Sequence, residues 1–239
     1  MQWLRNLFGG VVGSPAVALT PEQAASLEAW RKLPTEELSR SHFLTRYVVV
    51  DVEASGLHMV KDRLISIGAV AVNRGMIELD NAFEVVLRQD EVSSHDNILI
   101  HGIGGSAQRE GMDPVDALLD FLHYIGKAPL VAYHALFDQT MIERAMSRYL
   151  GCTIALPWID LAWVLPELYR ERIDDQVGLD PWLESFGIEN ILRHNAVSDA
   201  YATAMLLQVA QTRGVALGKD SAEIFMGMEK ARRRLRRAG

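Results

Sequence analysis

The stretch Tyr47-Val48-Val49-Val50-Asp51-Val52-Glu53-Ala54-Ser55-Gly56 decides the fold: it reads as a buried strand that ends in two carboxylates. The run Tyr47 to Val50, rich in β-branched residues, fits a strand covered on both faces, and Gly56 ends it. Side chains two apart on a strand share a face, so Asp51 and Glu53 project together while Val52 turns away. Carboxylates directly after a buried strand are costly unless a cation or a partner neutralises them. Open α/β sheets bind ligands outside the carboxyl ends of their strands, and this pair sits at such an end.

Working outward, Leu64 to Val72 and Ile77 to Leu87 read as two more strands joined by the turn Asn73-Arg74-Gly75. Asp113-Pro114 opens a helix through about Ile125, with Val115, Leu118, Leu119 and Leu122 on one side. Pro129 to Tyr133 is a short strand, Asp138 to Leu150 a helix and Thr153 to Ile159 the last strand. A helix from Ala196 to about Gln211 carries Ala200, Ala204, Leu207 and Ala210 along one stripe. Three strands followed by alternating helix and strand imply an α/β fold with a mixed sheet. Residues 1–45 read as an N-terminal helical extension, started by Thr20-Pro21-Glu22-Gln23, residues 46–213 as the main domain, and 214–239 as a C-terminal helical basic tail.

Composition narrows the class. With 49% hydrophobic and 23% charged residues, the chain reads as an ordinary soluble globular protein. No stretch approaches the roughly 18 uninterrupted apolar residues of a membrane helix, so no membrane role is expected. The start, Met1 to Val12, has one Arg and a short apolar run broken by Gly9-Gly10, which does not suit a cleaved leader. The single Cys152 cannot form an internal disulfide, and the poverty in cysteine suits the cytoplasm. The net charge of −7 has the wrong sign for holding nucleic acid by bulk electrostatics. Residues 230–237, Lys-Ala-Arg-Arg-Arg-Leu-Arg-Arg, concentrate six positive charges, which leaves about −13 on the remainder. That tail reads either as a solvated helix or as a contact for nucleic acid or a protein partner. A metal-loaded cleft on an acidic body can still accept a phosphodiester, because the ions supply the local positive field.

Five residues in three clusters carry the chemistry: Asp51 and Glu53, then Asp138, then His194 and Asp199. Singly, each has a plainer reading. Asp-x-Glu after a strand suits a surface turn, Asp138 a carboxylate on a helix N-terminus, and His194 a loop or core histidine. Taken together they are oxygen ligands of the kind that suits Mg2+ or Mn2+ rather than Zn2+, with a histidine able to take a proton from water. Two such ions about 3.5–4 Å apart stabilise the attacking and leaving oxygens of an in-line phosphoryl displacement.

The motifs also carry a resemblance. Val50 to Leu57 resembles the first motif of the DEDD superfamily of 3′→5′ exonucleases, Val131 to Asp138 the second, and His194 to Ala200 the third in its histidine form. The likeness covers roughly residues 46–210, and the chain is most similar to the epsilon proofreading subunits of bacterial DNA polymerase III and their stand-alone relatives. It implies an RNase H-like fold with a five-stranded mixed sheet flanked by helices, making 46–213 an exonuclease domain. It further implies that Asp51, Glu53, Asp138 and Asp199 bind two Mg2+ or Mn2+ ions and that His194 is the general base. Leu57 matches the position that packs on the terminal base. The reaction it implies releases nucleoside 5′-monophosphates from a nucleic-acid 3′ end, DNA before RNA, with a polymerase or replisome as a possible partner.

Two departures fall in the substrate-binding positions. The family has a hydroxyl residue where this chain has Ala54, and Ser55 is no obvious replacement. It usually has His-Asn where this chain has Tyr133-His134, so the His134 ring is either a substrate contact or structural. Two other functions fit the same sequence: an exoribonuclease on short RNA, whose discrimination of the 2′-hydroxyl the motifs do not show, and a non-catalytic replisome-binding subunit.

Overall fold

In this computed structural model, which describes residues 18–173 and 175–238, strand β1 (Tyr47–Ala54) lies at the centre of a five-stranded sheet. It pairs antiparallel with β2 (Leu64–Asn73), which pairs antiparallel with β3 (Met76–Val86). On its other side it pairs parallel with β4 (Leu130–Ala132), and β4 pairs parallel with β5 (Trp158–Asp160). The sheet is mixed, as expected from three consecutive strands followed by alternation.

Alternation along β1 sorts the two faces. Val48, Val50, Val52 and Ala54 point into one core, with Leu27 and Trp30 of α1 (Pro21–Arg31), Leu118 and Leu122 of α4 (Pro114–Ile125) and Met141 of α5 (Leu136–Leu150). Tyr47 and Val49 point into the other, with Leu161, Val164 and Leu165 of α6 (Leu161–Leu168), Leu206 and Leu207 of α8 (Ala196–Ala216) and Phe225 of α9 (Ala222–Ala238). Asp51 and Glu53 continue this second row to the strand's end. Three short helices, α2 (His95–His101), α3 (Gly105–Arg109) and α7 (Leu179–Phe186), complete the α-helices among the described residues.

Several boundaries differ from the expected ones. The strand expected over Thr153 to Ile159 is confined to β5, because its partner β4 is three residues long. Pro157 marks its entry: it has no N–H, and its carbonyl accepts from Leu130 at 2.8 Å. Helix α5 begins two residues before Asp138, which places that carboxylate inside the first turn. Helix α8 runs past Gln211 to Ala216.

The segments flanking the main domain are packed against it. Helix α1 starts at Thr20 as expected and closes a capping box, with Gln23 N–H donating to the Thr20 hydroxyl and Thr20 N–H to the Gln23 side chain, and it buries Leu27 and Trp30. The basic tail is a helix that buries Phe225 and ties Arg232 to Glu167, Arg233 to Asp160 and Arg236 to Asp175, so several of its cations already have acidic partners. The segment Met1 to Val12, weighed above as a leader, lies outside the described residues.

Candidate active site

A cleft of about 490 Å3, within the range typical of small-molecule sites, opens at the carboxyl end of β1. Asp51, Glu53, Ala54, Leu57, His134, His194 and Asp199 all line it. The shared face of Asp51 and Glu53 follows from the strand period, since Val52 between them is buried in the opposite core. Asp199 arrives on the first turn of α8, where Asn195 caps the helix by accepting from Ser198 N–H at 3.0 Å. Oxygens of Asp51, Glu53 and Asp199 all lie within 4.8 Å of one another.

That approach depends on Gly68. It stands opposite Asp51 in the β1–β2 pairing, and a Cβ there would meet the backbone of Ala196 and Val197 at 2.3 Å. Only a residue without a side chain lets α8 sit this close to the sheet.

Asp138 lies behind this group. It is 4% exposed and accepts from Val52 N–H at 3.1 Å, so its carboxylate crosses to β1 rather than serving only its own helix. It is close enough to raise the pKa of Asp51, but it does not join the three-carboxylate cluster.

Crowding of like charges sets the electrostatics. Burial, then the neighbouring Asp138, Asp199 and Glu53, holds Asp51 well above the usual carboxylate range. Burial likewise raises Asp138, against hydrogen bonds from its own and Val52's backbone N–H. Glu53 is pushed up to about 8, first by burial and then by Asp199, with Arg193 opposing. Adjacent carboxylates that cannot all ionise comfortably mark a place that a cation would stabilise. The donor set, hard oxygens with one imidazole at the rim, fits Mg2+ or Mn2+.

Among the described residues, two of the three non-glycine residues with left-handed backbone lie here: His134 at φ +62° and His194 at φ +59°. Carboxylates hold both turns. His134 N–H donates to Asp160 at 2.9 Å, and His194 N–H donates to Asp199 at 3.0 Å. Such conformations cost about 1–3 kcal/mol and persist where surrounding bonds enforce them. Asp160, 2% exposed, also accepts from Ala162 N–H and pairs with Arg233 at 2.7 Å. Tyr133 donates its hydroxyl to the carbonyls of Val177 at 2.7 Å and Gly178 at 3.0 Å, fixing the loop before α7.

Leu57 is 89% exposed at the mouth of the cleft. Its loop is closed by Ser55, whose hydroxyl donates to Asp62 at 2.9 Å and accepts from Arg63 N–H at 3.0 Å. Ser55 is thus occupied in the loop and does not stand in for the hydroxyl missing at Ala54. Arg144 on α5 braces the same loop by donating to the carbonyls of Met59, Val60 and Asp62.

The sequence reading missed Gly68, Asp160, Asn190 and Arg193. Gly68 was detectable, since a glycine inside an apolar strand signals a close backbone approach. Arg193 stood beside His194 with nothing in the sequence to show its partners: Asp199 at 2.6 Å and Asp180 at 2.8 Å.

A mixed sheet with an acidic cleft at the end of its first strand defines an RNase H-like α/β protein. A family model described as "RNase_T: Exonuclease" matches residues 48–207, and the chain belongs to that exonuclease family. The PolC-type DNA polymerase III of Bacillus subtilis (strain 168) is 35% identical over 162 residues, 67% of this chain and 11% of that relative. Its counterpart in Oceanobacillus iheyensis is 30% identical over 175 residues, 72% of this chain and 12% of the relative. The chain therefore spans only 11–12% of the length of these curated relatives. Among solved structures, E. coli Exonuclease I with a dT13 oligonucleotide matches with a TM-score of 0.59 at 21% identity, covering 72% of this chain and 42% of that one. Exonuclease X with 5′ overhanging duplex DNA matches with a TM-score of 0.59 at 20% identity, covering 77% and 99%. Both likenesses are of fold.

Proposed function

We propose that the chain is a metal-dependent 3′→5′ exonuclease that acts on single-stranded DNA ends and releases nucleoside 5′-monophosphates. The observation that carries this reading is the meeting of Asp51, Glu53 and Asp199 within 4.8 Å at the end of β1, in an open cleft rimmed by His194. Asp51, Glu53, Asp138 and Asp199 would hold two Mg2+ or Mn2+ ions. When bound, such ions supply positive charge to the attacking and leaving oxygens.

The remaining work falls to the chain. His194 accepts the proton of the attacking water as the new P–O bond forms. The P–O3′ bond breaks and the departing 3′-oxygen takes a proton from solvent water, so the phosphate leaves with the terminal nucleotide and the shortened strand ends in a 3′-hydroxyl. Leu57 packs on the terminal base, while Ala54 and His134 form the adjoining wall. The preference for DNA is supported by the oligonucleotide and duplex in the Exonuclease I and Exonuclease X structures and by the likeness to DNA polymerases. The polymerase relatives also support a polymerase-associated setting.

The test uses purified protein, Mg2+ and matched DNA and RNA oligonucleotides labelled at either end. A 3′ label should appear at once as mononucleotide, and a 5′ label should give a ladder of shortening strands that a chelator abolishes. Products with a 3′-phosphate, or full activity in Asp199→Asn, would overturn the mechanism. Faster loss of RNA than DNA would overturn the assigned polymer alone.

A further inference from the structure

We propose that Arg193 is a positioning residue: an internal counter-cation that holds Asp199 in the metal-free cleft and yields it to a divalent ion by moving onto Asp180. The inference rests on the metal-dependent reading of the site.

Donors already surround the Asp199 carboxylate. Arg193 Nη1 reaches Oδ1 at 2.6 Å, Asn190 Nδ2 donates to the same oxygen, and His194 N–H donates to Oδ2 at 3.0 Å. Oδ1 already takes two of these donors, so a dication that draws this oxygen toward Asp51 and Glu53 competes with them, while Oδ2 has only one. The His194 N–H is fixed in the backbone. Asn190 is anchored by Ser198, whose hydroxyl donates to its Oδ1 at 2.8 Å and accepts from Leu192 N–H at 3.0 Å.

Arg193 differs in having a second carboxylate in hand. Its Nε reaches Asp180 Oδ1 at 2.8 Å and its Nη2 donates to Oδ2 at 3.5 Å, a fork that a guanidinium spans and an ammonium does not. Asp180 is also the outer partner, with its side chain 66% exposed against 6% for Asp199. Moving outward keeps Arg193 paired, and one positive charge leaves the carboxylates as a dication arrives.

The two partners of Arg193 therefore have opposite effects on metal affinity. Removing the competitor in Arg193→Gln should tighten Mn2+ binding, measured by calorimetry on the full chain without nucleic acid, by about fivefold. Removing the outer acceptor in Asp180→Asn should weaken it by a similar factor, because Arg193 then has nowhere to go. Through-space charge alone would give both signs, so the deciding measurement is the double variant. Asp180→Asn should have no effect in the Arg193→Gln background. An equal weakening in both backgrounds, or no tightening in Arg193→Gln, overturns the proposal while leaving the metal site intact. A wild-type chain that binds no Mn2+ overturns both the proposal and the metal-dependent reading. If Arg193→Gln does not fold, Arg193→Met, which keeps the apolar stem and removes the charge, carries the same cycle.

Discussion

Asp51 and Glu53 are placed where burial and neighbouring carboxylates oppose their ionisation. Burial and neighbouring charge lift Glu53 from its ordinary 4.5 to about 8 and move Asp51 and Asp138 in the same direction. A carboxyl whose folded pKa exceeds its unfolded value contributes stability fully below the unfolded value, and the contribution is lost as pH rises through the folded one. The metal-free protein should therefore lose stability as pH rises from about 4.5 to about 8, read as a steadily falling Tm. Saturating Mn2+ should flatten that decline in a thermal melt, and an unchanged slope would count against cation binding here. The same electrostatics gives Asp51→Asn two opposite signs. It should raise the metal-free Tm by relieving like-charge repulsion while lowering kcat by about 10³-fold or more. Loss of activity accompanied by a lower metal-free Tm would instead assign Asp51 a structural role.

At the scale of elements, catalysis would depend on how closely α8 approaches the sheet. Gly68 permits that approach directly opposite Asp51, and the clash of an added Cβ is with backbone, which cannot swing aside. Gly68→Ala should push the N-terminus of α8 outward, cost about 1–3 kcal/mol, and carry Asp199 and His194 away from Asp51. Activity should then fall more than tenfold with helix content unchanged, as read by circular dichroism beside the nuclease assay. Near-normal activity would show that the α8 position tolerates a shift. The strands that position this arrangement were legible because each reports its own burial: Tyr47 to Val50 is a continuous apolar run, and Asp51 and Glu53 interrupt it on one face. The contacts that tune it were not. Arg193 acquires its role from Asp180 and Asp160 from Arg233, and a partner distant in sequence leaves no local pattern; Gly68 signals a close approach within its strand, but not that Ala196 makes it. The end of the sheet was illegible for the same reason, since β5 is only as long as the three residues of β4 that pair with it.

At the scale of the whole molecule, the first and last described segments are structural supports of the cleft. Buried His42 links them, hydrogen-bonding to the Tyr47 hydroxyl at 2.6 Å and the Lys219 carbonyl at 3.1 Å, while Glu223 N–H donates to Leu38. From α9, Arg233 stacks over Trp163 with 4.7 Å to the ring centroid and pairs with Asp160, the carboxylate that holds the His134 turn at the cleft wall. Asp160 is 2% exposed, so losing Arg233 leaves a buried carboxylate without its counter-charge. Burial already raises the Asp160 pKa and Arg233 opposes this, so in Arg233→Ala the carboxyl should protonate at higher pH. The variant should lose about 2 kcal/mol of stability near neutral pH, and the deficit should shrink as pH falls and Asp160 takes up a proton. Because a protonated Asp160 can still accept from His134 N–H, kcat should fall less than tenfold. A stability loss that is independent of pH would mean that Arg233 contributes through its packing on Trp163 alone. A collapse of kcat would make the basic helix part of the substrate site rather than its brace.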